Sequence, residues 1–251
     1  MAARPFEAGR PSTVAGIRLD GLVWNAGGLV GLDAPVLVEP GGVVAILADA
    51  AVGAALADVL VGLVPPVRGI VLVAGRSAYW VAGRPNPQLV ALIPAGGALL
   101  PHLSVARNIA FGDRFHADRG ARDGQVIELA QLFRVAGVLR LHPHRLSPAQ
   151  RLGVAAARAL GSDPHAVVVE DRAGQPDCAA VVAALAQRDR AVIVITDDAG
   201  RAEPLTDRVY HAGPLPPAPV PEPARGSVGS KAPPRPPAEP VLEGGRDADF
   251  A

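Results

Sequence analysis

The chain has 251 residues in which 24 Lys and Arg balance 24 Asp and Glu, so no basic excess marks it for nucleic acid or an anionic membrane surface. Hydrophobic residues make up 49% and aromatics only 4%, which allows one sizeable core or two small ones built mainly from Val, Leu, Ile and Ala. A single Cys178 excludes an internal disulfide, and neither a signal-peptide pattern nor a membrane-length apolar run is present, so a cytoplasmic protein that is not itself transmembrane is expected.

Residues 1–16 read as a flexible lead-in. Ile17 to Trp24 alternates apolar and polar at first, as an outer antiparallel strand does. Ala34–Glu39, Gly42–Leu47, Gly69–Ala74 and Leu89–Pro94 are further strand candidates, punctuated by glycines and prolines. From Ser104 the periodicity turns helical. Ser104 is an N-cap candidate for Val105–Phe111, Val126 to Phe133 marks a second helix, and Ser147 opens a third that runs to Leu160. Strands return at Ala166–Val169 and Ala191–Ile195 with a helix over Ala179–Gln187 between them, and Thr206–His211 is a last short strand. Strands alternating with helices predict a mostly parallel α/β sheet with an antiparallel edge and an inserted helical block at about 101–160. Residues 214–251 are rich in Pro, Ala, Gly and charge, and predict a disordered, partly polyproline-II tail. Pro233-Pro234-Arg235-Pro236-Pro237 there could dock a proline-binding domain, although a solvated tail explains it as well.

The stretch from Gly41 to Leu60 organises the rest. Val43–Leu47 is a continuous apolar run of the kind a central parallel strand needs, and Leu56, Val59, Leu60 and Leu63 recur at helical spacing. A strand-turn-helix of this type is where a phosphate loop G-x-x-x-x-G-K-[ST] sits. The eight positions here read Ala48-Asp49-Ala50-Ala51-Val52-Gly53-Ala54-Ala55: one glycine is present, the lysine and hydroxyl are not. The only lysine of the chain is Lys231, so no shifted alignment supplies one.

The order of elements over residues 17–213 resembles the nucleotide-binding cassette of ABC transporters. The segment Ala98–Gly112 (Ala-Leu-Leu-Pro-His-Leu-Ser-Val-Ala-Arg-Asn-Ile-Ala-Phe-Gly) is similar to the one that follows that family's glutamine loop. His144–Leu160 resembles its signature loop and following helix, Asp163–Asp171 its second acidic motif, and Ala191–Asp198 the strand leading to its switch histidine. The resemblance implies a P-loop NTPase-like fold, an ATP and magnesium site shared head to tail between two cassettes, and a membrane-spanning transporter subunit as partner.

The departures from that family are systematic. Ala54 and Ala55 stand where its lysine and magnesium-holding hydroxyl stand, and Asp49 adds a carboxylate beside a nest meant for anions. What remains is a helix N-terminus with Ala48 and Gly53, a weak anion site that also reads as a tight strand-helix connection. In the signature loop Leu146-Ser147-Pro148-Ala149-Gln150, Pro148 removes one N–H donor, while Ser147 and Gln150 form a capping box without any nucleotide. Glu170 falls at the family's magnesium position and Asp171 at its water-orienting position, the two acids in reversed order and followed by Arg172, which could pair with one of them; a solvated charged turn is the plain alternative. Ala95 replaces the glutamine, Asp197 the switch histidine, and Ala26 the adenine-stacking aromatic, for which Trp24 could substitute unless it is a core residue.

These changes predict a catalytically inactive pseudo-ATPase that acts by binding a transporter subunit or, as a heterodimer, an intact cassette, peripheral to the inner face of the membrane. Neither cofactor nor metal is expected, and the β-strand and helix at 41–60 are expected to fold like a nucleotide site that binds nucleotide poorly. Two further readings stand beside it. One is a functional ABC transporter ATPase using ATP and magnesium; the other is a soluble scaffold recruiting partners through its proline-rich tail.

Overall fold

The computed structural model describes residues 16–79, 89–112, 119–172 and 178–215. The lead-in before residue 16 and the proline-rich stretch 216–251 lie outside the described residues.

Two apolar strands set the centre of the sheet. In β8 (Ala166–Asp171) and β9 (Ala191–Thr196) nearly every residue is buried, because both faces of this part of the sheet are covered. The side chains alternate between two cores. Ala166, Val168, Ile193 and Ile195 point to one side, and Val167, Val169, Val192 and Val194 to the other. Each such Val or Ile contributes on the order of 1.5–3 kcal/mol by leaving water. β4 (Val43–Leu47) pairs parallel with β9 on one side, and β7 (Val90–Ile93) pairs parallel with β8 on the other.

The first core lies between this parallel layer, α1 (Ala50–Leu60) and an antiparallel layer. The latter is formed by β1 (Ile17–Asn25), β2 (Leu29–Leu32), β3 (Val36–Val38), β5 (Arg68–Val73) and β6 (Arg76–Ser77). β10 (Val209–Pro214) joins the two, pairing parallel with β4 and antiparallel with β2. The sheet order is β6-β5-β1-β2-β10-β4-β9-β8-β7, with β3 on β1. The strand expected to be outer is therefore internal, since β1 pairs with β2, β3 and β5. Its apolar alternation breaks between Asp20 and Val23, where a bulge with Gly21 at φ 54° shifts the register.

The second core lies between the opposite face of the parallel strands and a helical block inserted between β7 and β8. That block contains α2 (Val105–Ala110), α3 (Arg119–Leu132) and α4 (Pro148–Leu160), and α5 (Ala179–Ala186) packs beside it. Two caps foreseen from local sequence are present. The Ser104 hydroxyl accepts from Arg107 N–H, and Ser147 with Gln150 forms a reciprocal capping box at the start of α4.

The loop after β7 is fastened to this block by two side chains. Asn108 is fully buried; its amide nitrogen donates to the carbonyls of Leu100, Leu103 and Ser104, and its oxygen accepts from Leu100 N–H. Arg158 donates from α4 to the carbonyls of Gly97 and Ala98, in a turn where Gly96, Gly97 and Ala98 all have positive φ.

At the other end of β8, Arg76 lies 3.1 Å from His165 Nε2. A guanidinium only donates, so Nε2 is the acceptor and the ring is neutral with its proton on Nδ1. Burial first, then the charges of Arg76 and Arg190, hold the His165 pKa below the ordinary histidine value, with Asp163 opposing. The folded state therefore binds less proton than the unfolded chain below a pH of about 6.5, the reference value. The stability His165 contributes is present above that pH and is lost as the pH falls through it. Thermal midpoints should decline below that pH, and His165→Gln should flatten the decline.

Candidate functional site

The site suggested by sequence lies at the carboxyl ends of β4 and β8, where an open α/β sheet places its ligands. β4 ends at Leu47, Ala48 is buried, and Asp49 turns the chain directly into α1. A phosphate loop needs several non-helical residues whose N–H groups face inward. Here Ala50 to Ala55 are already helical. The Asp49 carboxylate accepts from Val52 N–H at 2.8 Å, and Gly53 N–H donates to Asp49 O at 2.8 Å. The expected strand-turn-helix frame forms, but its turn does not take the shape of a phosphate loop. The helix begins three residues before the glycine, and a side-chain cap takes a first-turn donor that an anion would need.

Arg172, at the end of β8, reaches this junction from more than a hundred residues away. It donates to Asp49 O at 3.4 Å and Ala50 O at 3.1 Å, and pairs with Glu170 at 3.4 Å. Its side chain is only 15% exposed. Glu170 also accepts from Ala95 N–H, so the residue in the glutamine position meets the residue in the magnesium position through its backbone.

Asp171 points the other way, into the protein. It is 2% exposed and receives two hydrogen bonds from Arg201 in α6 (Ala199–Ala202), at 2.6 and 2.5 Å. A solvated charged turn is thus not what forms. Both acids sit in ion pairs with little solvent, Glu170 facing the α1 junction and Asp171 facing α6.

The remaining candidates are not gathered here. Trp24 is 1% exposed in the first core and its indole N–H donates to Val52 O at 3.4 Å, so it is a core residue and offers no face for stacking. Ser147 and Gln150 satisfy each other at the start of α4, which packs against α2, α3, α5 and β7. Asp197 is exposed just beyond β9, and its neighbour Asp198 caps α6. Among the described residues no group of three or more His, Cys, Asp or Glu is placed to hold a metal, and no helix is long and apolar enough to cross a membrane.

The residues present do not fit a magnesium nucleotide. Ala54 and Ala55 carry no donor or ligand, Gly53 N–H is spent inside α1, and a guanidinium tied to Glu170 lies against the loop.

This architecture is that of the ABC ATPase cassettes, a P-loop NTPase fold. The cbiO1 protein of Clostridium perfringens, part of the ABC transporter complex cbiONQ, superposes with a TM-score of 0.66 at 18% identity, covering 78% of this chain and 84% of that one. A dimeric ATP-binding cassette in a post-hydrolysis state, bound to ADP and Pi, superposes with a TM-score of 0.59 at 16% identity over 74% of this chain and 90% of that one.

Sequence relatives agree with the fold. The molybdate/tungstate import ATP-binding protein WtpC of Archaeoglobus fulgidus is 37% identical over 114 residues, 45% of this chain and 46% of that protein. The spermidine/putrescine import ATP-binding protein PotA of Frankia alni is 32% identical over 161 residues, 60% of this chain and 34% of that protein. The matched regions are less than half the length of either relative. No family model matches the sequence. Together the fold and these relatives support an ABC nucleotide-binding domain.

Proposed function

We propose that the chain is an ABC-transporter ATP-binding-protein-like subunit that works by binding and not by hydrolysis. Its partners on this reading are a membrane-spanning transporter subunit, an intact cassette in a heterodimer, or both, at the inner face of the membrane. The observation that supports it most is the start of α1, where Asp49 and the helix itself occupy the donors that a phosphate loop would present. A head-to-tail pair with an intact cassette would receive from this chain a signature helix whose first residue, Pro148, has no N–H.

The test uses the purified full chain with magnesium and ATP. Turnover is expected at the level of a blank, with no shift of the thermal midpoint. A ligand at a hundred times its Kd would instead add about 2.7 kcal/mol of stability. The names of the relatives favour the conventional ATPase, and that reading wins if turnover exceeds the blank and is lost in Glu170→Gln.

A further inference from the structure

The loop has an occupant of its own. The Arg172 guanidinium contacts Asp49 O, Ala50 O and Glu170 Oε1, three acceptors on the two strand ends that a nucleotide would bridge. A cation placed near a helix N-terminus opposes the helix dipole, so its position there needs compensating oxygens. These three supply them. The surviving glycine fits the same arrangement. A Cβ at Gly53 would lie 2.8 Å from Ile195 Cγ2 and 3.1 Å from both Arg172 terminal nitrogens, so a glycine at 53 leaves room for the Ile195 methyl first and for the guanidinium beside it.

We propose that Arg172 is a ligand-free latch. Held by Glu170, it ties the end of β8 to the first turn of α1 and fixes the β4–α1 junction in one conformation without nucleotide. The forked guanidinium suits this role because it can meet backbone carbonyls and a carboxylate at once, which an ammonium on a flexible stem does poorly. Arg172 here is a positioning residue for α1, and Gly53 leaves space for its guanidinium as well as for Ile195.

The proposal rests on reading the junction as a former nucleotide loop, but its test is separate from the test of hydrolysis. Amide hydrogen exchange is measured on the full chain, wild type against Arg172→Ala, Arg172→Lys and Glu170→Gln. Arg172→Ala should speed exchange of the amides from Val52 to Leu56 by on the order of tenfold, the factor expected when a charge-assisted contact is lost locally. Amides of α4 should be unchanged. Glu170→Gln, which keeps the shape and removes the charge, should give a smaller acceleration of the same amides. Arg172→Lys should restore less than half of the protection.

Unchanged exchange in Arg172→Ala, or full restoration by lysine, would overturn the latch. Inorganic pyrophosphate is the second probe, titrated calorimetrically into wild type and Arg172→Ala. No binding is expected in either. Binding to wild type that disappears in Arg172→Ala would make the arginine an anion ligand and also overturn the proposal. ATP turnover with accelerated exchange in Arg172→Ala would sink the non-hydrolysing reading and leave the latch standing. The reverse pattern would do the opposite.

Discussion

Asp171→Ala is expected to destabilise the fold by about 3 kcal/mol, as removal of one partner from a buried ion pair does. For a domain of this size that lowers the thermal midpoint by roughly 6–12 °C. The cause is the buried pair itself: Arg201 directs two nitrogens at a carboxylate that is 2% exposed, and its own side chain keeps only 23% exposure. That remaining exposure puts the cost at the low end of the range for buried pairs. A thermal melt checks it, and the double variant supplies the control. Asp171→Ala with Arg201→Ala should cost less than the sum of the single changes, because both changes remove the same contact. If Asp171 instead served catalysis and carried little structural load, its alanine variant would melt like the wild type.

A second large loss is expected at Asn108. Asn108→Ala removes four hydrogen bonds from a side chain with no solvent exposure and leaves Leu100 N–H and Leu103 O without their side-chain partner. At 1–3 kcal/mol for each buried group left unpaired, the expected cost is about 3 kcal/mol. Asn108→Asp is the sharper test. It keeps the size of the side chain and the acceptor for Leu100 N–H, but turns an oxygen toward three carbonyls that now receive a donated hydrogen. Chemical denaturation should find the aspartate variant no more stable than the alanine one near neutral pH. A near-wild-type midpoint for Asn108→Asp would mean that the amide does not organise the loop.

What could be read from sequence was what local chemistry decides. Ser147-Pro148-Ala149-Gln150 is a helix start by itself, and it forms one. The apolar runs of β4, β8 and β9 are central strands whatever surrounds them. The strand β2 has no local signal, because Leu29-Val30-Gly31-Leu32 carries a glycine and follows two more; its state is set by pairing with β1 and β10, the latter nearly two hundred residues away. The run Ile17–Trp24 reads as an outer strand because it alternates apolar and polar only at first, and the break in that alternation is a bulge inside the sheet. Trp24 could be read as core or as a stacking face, and only the position of Val52 decides between them.

At the site the sequence showed which groups were missing but not what replaced them. That Ala54 and Ala55 cannot do a lysine's or a hydroxyl's work follows from their chemistry alone. That Asp49 caps a helix starting at Ala50 is legible in the sequence, since an aspartate before an alanine run is a strong N-cap signal, but the same eight residues also match the spacing of a phosphate loop, in which Gly53 and not Asp49 would mark the helix start. Arg172 next to Glu170 and Asp171 is legible as a partner for an acid. Its reach to Asp49 and Ala50 is not, because those residues meet it only through the order β4-β9-β8 in the sheet.

The capped, arginine-covered start of α1 also bears on how the protein would fare as cellular conditions change. A domain stabilised by a bound nucleotide owes part of its folding free energy to the concentration of that nucleotide, and becomes more prone to unfolding and proteolysis when the pool falls. If, as proposed, Asp49 and Arg172 close the junction in place of nucleotide, the fold carries no such dependence. On this account the subunit would persist at constant stability through starvation and plenty, and its abundance would follow synthesis and partner availability in place of the energy supply.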